Sequence, residues 1–410
     1  MKSGPSVQQL ARFVVPFLML WAPAALAVPV TVQPGGYQGQ WTTAGVWYSG
    51  PRTLDLAPGV PHLFYVGVRG ALHVTVSADG TVTSSNAVAA VGGLHQLTFN
   101  TVPVRVEPAG YTGTWSLQYA TGKTQGPLTV ELVPGLAYLA RVGGYGAIGF
   151  GVAANGDVSS EAPASATSAG NVLTFLTAPV TFDPKEFTGS WAVEAAYGRF
   201  EGVRTLSLVP GQGYFMNIGG HGGFRFDVDA AGVVSSQAPA SAQGVGSTLT
   251  LRTVPVALYP RDYAGGWAVE YAVPLRNGYA SVRLVPGVRY RFQVGGWGGF
   301  TFVIENNGTV TSEAPASAAA QGNALVLNTV AVRIAPRASA QGWGLGGHAS
   351  APLPFAWTGR HTLKLVPGVQ YQLQAMSPYA TELFTVTETC APSPGYVALG
   401  SAGFDLGCTE

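Results

Sequence analysis

The sequence predicts an all-β protein: a tandem array of five small β-sandwich- or barrel-like repeats of about 76 residues, the last divergent and disulfide-capped. Two observations predict it. First, Trp41, Trp115, Trp191 and Trp267 fall at steps of 74, 76 and 76 residues, each seven residues after a proline (Pro34, Pro108, Pro184 and Pro260). Pro336 and Trp343 keep the same seven-residue gap a fifth time. Second, apolar residues between these marks recur with the two-residue period of strands, and no stretch past the first residues carries a helical stripe.

The elements follow in chain order. Segment 1–27 reads as a secretory signal peptide, with Lys2 and Arg12 as a basic start, an apolar stretch from Phe13 to Ala25, and the small-residue pattern Ala25-Leu26-Ala27 for cleavage. The mature chain is expected to start at Val28 and to be secreted, extracellular or periplasmic. No later apolar run reaches membrane length. The repeats read as 28–101, 102–178, 179–253, 254–329 and 330–410. Their openings align: Val28-Pro29-Val30, Val102-Pro103-Val104, Ala178-Pro179-Val180, Val254-Pro255-Val256 and Val330-Ala331-Val332. No Ser/Gly linker separates them, so neighbours are expected to keep a fixed relation.

The second repeat illustrates the pattern. Val102, Val104 and Val106 alternate, as do Trp115, Leu117 and Tyr119, and then Leu128, Val130 and Leu132. Leu-Val-Pro-Gly recurs as Leu132 to Gly135, Leu208 to Gly211, Leu284 to Gly287 and Leu365 to Gly368, a sequence suited to type II turns. This strand–Pro-Gly–Tyr–strand element, Leu206 to Tyr214 for example, resembles one hairpin of bacterial extracellular β-sandwich repeats. Asp79-Gly80, Asn155-Gly156, Ala231-Gly232 and Asn307-Gly308 mark hairpins, for which two-residue turns are expected. Ala-Pro-Ala-Ser-Ala, ending at Ala166, Ala242 and Ala318, reads as a small-residue loop.

Only 10% of residues are charged, and beyond residue 27 there are 19 basic side chains against 20 acidic ones. No basic cluster exists to contact phosphates, which argues against nucleic acid. A surface this weakly charged favours self-association, or contact with a cell-surface protein or glycan. Cys390 and Cys408 are expected to pair after export.

Catalytic chemistry is sparse. His348 and His361 lack metal-ligand spacing, His62 stands in a slot otherwise filled by tyrosine, and no Ser–His–Asp or Cys–His set can be nominated. No cofactor or metal is expected. The five tryptophans, Trp41, Trp115, Trp191, Trp267 and Trp343, alternate with aliphatic residues and read as core pins, not as a sugar-stacking strip. One repeated position varies inside a glycine frame: Arg69, Tyr145, His221 and Trp297. Arg, Tyr and Trp dominate binding hot spots, so these tips are expected to form a row of contact residues.

Three functional classes follow. The expected one is a secreted, non-catalytic repeat protein with a structural, adhesive or surface-interaction role. The second is an extracellular carbohydrate-binding module array, with Trp47, Tyr145, Trp297 and Trp357 as exposed aromatics. The third is a hydrolase whose site lies in the C-terminal repeat, which holds His348, His361, Glu382, Glu388 and Asp405.

Overall fold

A computed structural model describes residues 26–67, 69–194, 196–295, 298–337, 342–346, 357–376, 379–399 and 402–409. Most of the signal-peptide segment therefore lies outside the described residues, as do Trp297 and His348.

Every regular element among the described residues is a β-strand. Among the described residues the strands form ten sheets, and strand pairing there joins only strands of one sequence repeat. In the second repeat, Val102–Glu107 pairs antiparallel with Leu128–Leu132 and parallel with Val172–Phe175, with Ala166–Ala169 at the edge. The facing sheet runs Trp115–Leu117, Leu136–Val142, Gly146–Val152 and Val158–Ser160, all antiparallel. Alternation decides the packing: in Leu136–Val142 every second residue is buried, giving the strand one core face and one half-exposed face. The strand Ala178–Asp183 begins one residue before the boundary read from the sequence.

Each core is pinned by its tryptophan. Trp41, Trp115, Trp191, Trp267 and Trp343 are at most 1% exposed. Burying an indole leaves its N–H in need of an acceptor. All five find it in the carbonyl of a glycine, Gly50, Gly126, Gly202, Gly278 or Gly359, at 2.9–3.2 Å. Those glycines have φ between 66° and 72°, a region that side chains disfavour.

A second pin follows the Pro-Gly turn. The Tyr138 hydroxyl accepts from the Val133 N–H at 2.8 Å and donates to the Val133 carbonyl at 3.0 Å. Tyr214, Tyr290 and Tyr371 repeat the clamp on Val209, Val285 and Val366. In the first repeat His62 takes over part of this role, its Nε2 standing 3.0 Å from the Ala57 carbonyl oxygen. Burial pushes the phenols of Tyr138, Tyr214 and Tyr371 well above the usual tyrosine range, so they stay neutral donors.

The Pro-Gly glycines, including Gly135 and Gly211, have φ of 72–73°, as a type II turn requires. The Asn-Gly loops differ from expectation. Val152 pairs with Val158, so the loop holds five residues, and only Gly156 takes a positive φ, of 89°. A longer loop built on an ordinary turn needs a single left-handed residue, not the two of a type I′ turn.

The last repeat departs in direction. In the first four, the closing strand lies parallel to the opening strand and runs on into the next repeat. In the fifth, Ala402–Cys408 lies antiparallel to Val330–Pro336, with Val332 opposite Cys408. Cys408 is bonded to Cys390. Cys390 occupies the left-handed loop position held by glycine elsewhere: its N–H donates to the Thr387 carbonyl as that of Gly308 does to Glu305, and its φ is 72°. The disulfide thus ties the fifth repeat's loop to its reversed closing strand.

Candidate functional site

The junctions between successive repeats are where the unexplained sequence features gather. Three kinds of contact recur there. The first is a seryl latch. Ser165, Ser241 and Ser317, all at most 2% exposed, donate to the carbonyls of Pro210, Pro286 and Pro367 of the next repeat, each at 2.7 Å. The Ala-Pro-Ala-Ser-Ala loop is therefore half of a joint, not only a small-residue loop. The next repeat's turn glycine is the other half: a β-carbon on Gly211, Gly287 or Gly368 would stand 2.8–2.9 Å from the seryl oxygen. The first junction differs, because Ala89 replaces the serine and the Asn86 amide lies against Gly135.

The second contact is backbone to backbone. The Gln40 N–H donates to the Tyr119 carbonyl at 2.6 Å, Thr114 to Ala196 at 3.2 Å, and Ser190 to Tyr271 at 2.7 Å. Tyr119 and Tyr271 hold φ of 61° and 56°, an unusual state for an aromatic residue. Close approach here explains the glycine that stands two residues before the tryptophan, as Gly39, Gly113, Gly189 and Gly265. A β-carbon on Gly189 would stand 2.6 Å from both Ala272 Cα and the Tyr271 carbonyl oxygen.

The third contact is the glycine-framed tip, which seats on the following repeat. A β-carbon on Gly143 or Gly219 would stand 2.7 or 2.9 Å from the ring of Tyr214 or Tyr290, and one on Gly222 only 2.6 Å from the Arg289 nitrogen. The glycine frame thus serves neighbour packing. The varied side chain at its centre also reaches across. Arg69 forms an ion pair with Glu161. Tyr145 stacks on Phe215 with centroids 5.8 Å apart, and the Arg225 guanidinium lies 4.7 Å from the Tyr145 ring. His221 Nε2 stands 2.9 Å from Glu270 Oε2. That hydrogen bond holds the Glu270 carboxyl below the usual glutamate range. The side chains of Arg69, with 41% exposed, and Tyr145, a residue 42% exposed, remain partly accessible while so engaged.

Beside the backbone bridges lie three grooves in equivalent positions. The first runs between Gln38, Gln40 and Ser49 on one side and Tyr119, Thr121 and Gly122 on the other. The second lies between Thr112, Thr114, Lys123 and Gln125 and the segment from Ala196 to Gly198. The third lies between Thr188, Ser190 and Glu201 and the segment from Tyr271 to Pro274. Their volumes are close to one another, 410, 380 and 410 Å³. A ring contact crosses each junction: Trp47 stacks on Tyr119 at 4.5 Å, Tyr111 meets Tyr197 edge-on at 5.9 Å, and the Arg199 guanidinium sits 3.8 Å over the Tyr271 ring. Sequence reading missed these grooves because each is made of two segments from different repeats.

The candidate catalytic residues of the fifth repeat are engaged separately. His361 Nε2 lies 3.0 Å from the Thr358 carbonyl oxygen, and the ring packs beside Trp343 and Trp357. Asp405 is bound by Arg337 at 2.6 Å, which lowers its pKa from the ordinary value. Glu382 and Glu388 are exposed. Among the described residues, no three His, Cys, Asp or Glu side chains gather into a set able to hold a metal ion. No described helix is long and apolar enough to cross a membrane. No family model matches the chain, and no curated protein matches it either.

Proposed function

We propose that the chain is a secreted, non-catalytic repeat protein that acts as a stiff structural and adhesive element outside the cytoplasm. The observation that carries this reading is the repetition of the junction. A buried serine-to-proline-carbonyl bond, recurring at 2.7 Å between three successive pairs of repeats, is chemistry spent on holding neighbours in one relation. A flexible string of binding modules needs no such bond, whereas an element that spans distance or bears load does. The Cys390–Cys408 disulfide is compatible with an extracellular or periplasmic setting. The low charge suits surface contact.

The test is retention on cells of the organism that makes the protein. Purified, fluorescently labelled residues 28–410 are expected to stay on those cells after washing and to release no peptide or reducing sugar from them. Complete loss on washing, or product release that disappears in His361→Ala or Asp405→Asn, would overturn the reading.

A further inference from the structure

We infer that the three junction grooves are subsites for a neutral, hydroxyl-rich oligosaccharide, so that the array binds glycan at its joints. The inference rests on the surface-interaction reading above and names the partner class for it.

Repetition is the first argument. The three grooves have nearly equal volume, each large enough for a sugar ring or two, and each forms only when two repeats are docked. Lining chemistry is the second. Amide and hydroxyl groups of Gln38, Gln40 and Ser49 recur as Thr112, Thr114 and Gln125, then Thr188 and Ser190. Such groups exchange hydrogen bonds with hydroxyls in both directions. Charge is the third, and it selects among polar ligands. The first groove has no charged lining residue, the second has Lys123 and the third Glu201, so no sign of charge persists along the row. A polyanion would meet the Glu201 carboxylate; an uncharged chain meets no repulsion anywhere.

The aromatic residues supply an apolar surface for the C–H face of a sugar. Tyr119 is 43% exposed and Tyr271 49% exposed, although each ring is already backed on one side, by Trp47 and Arg199. Both stand on left-handed backbone, a conformation costing on the order of 1 kcal/mol or more for a residue with a side chain. The carbonyl bond to the preceding repeat accounts for the backbone state, but Asn or Gly would supply it with less strain. Tyrosine at the first and third of the three junctions, where the 76-residue spacing puts Ala195 at the middle one, therefore points to a use for the ring in those two grooves. Space is available over the groove wall, since a β-carbon on Gly122 or Gly198 would meet nothing within 4 Å. Weak binding at single grooves adds up along one chain if the repeats keep their relation.

The experiment is titration calorimetry of residues 28–410 with neutral hexasaccharides (cello-, laminari-, xylo- and mannohexaose), with a heparin-derived hexasaccharide as the anionic arm. At least one neutral hexasaccharide is expected to bind, and Tyr119→Asn/Tyr271→Asn to weaken it tenfold or more at unchanged thermal midpoint. A second variant, Ser49→Trp/Glu201→Trp, fills two grooves from exposed positions without altering the left-handed backbone, and is expected to weaken binding likewise. Absence of binding by every neutral hexasaccharide, binding of the anionic one alone, or undiminished binding in the groove-filling variant would overturn the inference. Solution scattering on the same samples separates the two readings. A rigid array that binds no neutral sugar defeats the grooves alone; a flexible array defeats the structural reading beneath them.

Discussion

The Ser241 hydroxyl donates to the Pro286 carbonyl at 2.7 Å across the boundary between the third and fourth repeats, and both Ser241 and Pro286 are buried. Proline has no N–H, so the carbonyl is its one backbone hydrogen-bonding group, and the preceding repeat covers it. Ser241→Ala leaves that carbonyl buried and unsatisfied, which costs about 1–3 kcal/mol. Chemical denaturation of the variant is expected to show that loss. Ser165→Ala should cost more, because Ser165 also accepts from Gln212 Nε2 at 2.8 Å.

Glycines should separate sharply by what lies above them. A β-carbon at Gly222 meets the Arg289 nitrogen at 2.6 Å and its oxygen at 2.9 Å, both backbone atoms of the next repeat. Gly222→Ala is expected to destabilise by about 1–3 kcal/mol through forced separation of the repeats. Gly93→Ala, where nothing lies within 4 Å and φ is not positive, is expected to change stability by less than about 0.5 kcal/mol. Equal effects in thermal unfolding would contradict the docking geometry.

The junction between His221 and Glu270 carries a pH dependence of definite sign. Hydrogen bonding to His221 lowers the Glu270 pKa below its ordinary 4.5, so the folded form binds the proton less readily than the unfolded chain. The stabilisation is fully present above that ordinary value and is lost as pH falls through the lowered folded value. Denaturation of the wild type and Glu270→Gln at successive pH values should show a gap that narrows on acidification below 4.5. A gap that widens there would be the wrong sign.

Removing the disulfide should loosen the fifth repeat first. The bond spans 18 residues and closes a loop worth about 3 kcal/mol in the chain-entropy picture. Cys408→Ser is expected to expose residues 387–409 to limited proteolysis while the first four repeats stay intact. Cleavage beginning in the first four repeats would contradict this assignment.

These sites show which features a sequence displays. The tryptophan ladder, the Pro-Gly turns and the all-β class were legible because each rests on local spacing: Trp115, Leu117 and Pro134-Gly135 carry their meaning within one repeat. The cysteine pair was legible from count and place alone. The seryl latch was not, since Ser165 and its acceptor Pro210 are 45 residues apart and the flanking alanines disguise the loop as filler. A signal did exist: serine stands at the same place in three loops, as Ser165, Ser241 and Ser317. The tips around Tyr145 and His221 read as a row of contact residues, and the sequence does not name what they touch, because a glycine frame signals a tight turn and does not say what approaches it. Reversal of the closing strand Ala402–Cys408 left no periodic trace, because antiparallel and parallel pairing use the same alternation.

Small-angle X-ray scattering of residues 28–410 asks whether the repeats keep one relation in solution. The wild type is predicted to fit a single arrangement of repeats, and Ser165→Ala/Ser241→Ala/Ser317→Ala to need a broader distribution of inter-repeat angles. A wild-type curve that already requires an ensemble of bent arrangements would contradict a chain built on fixed joints.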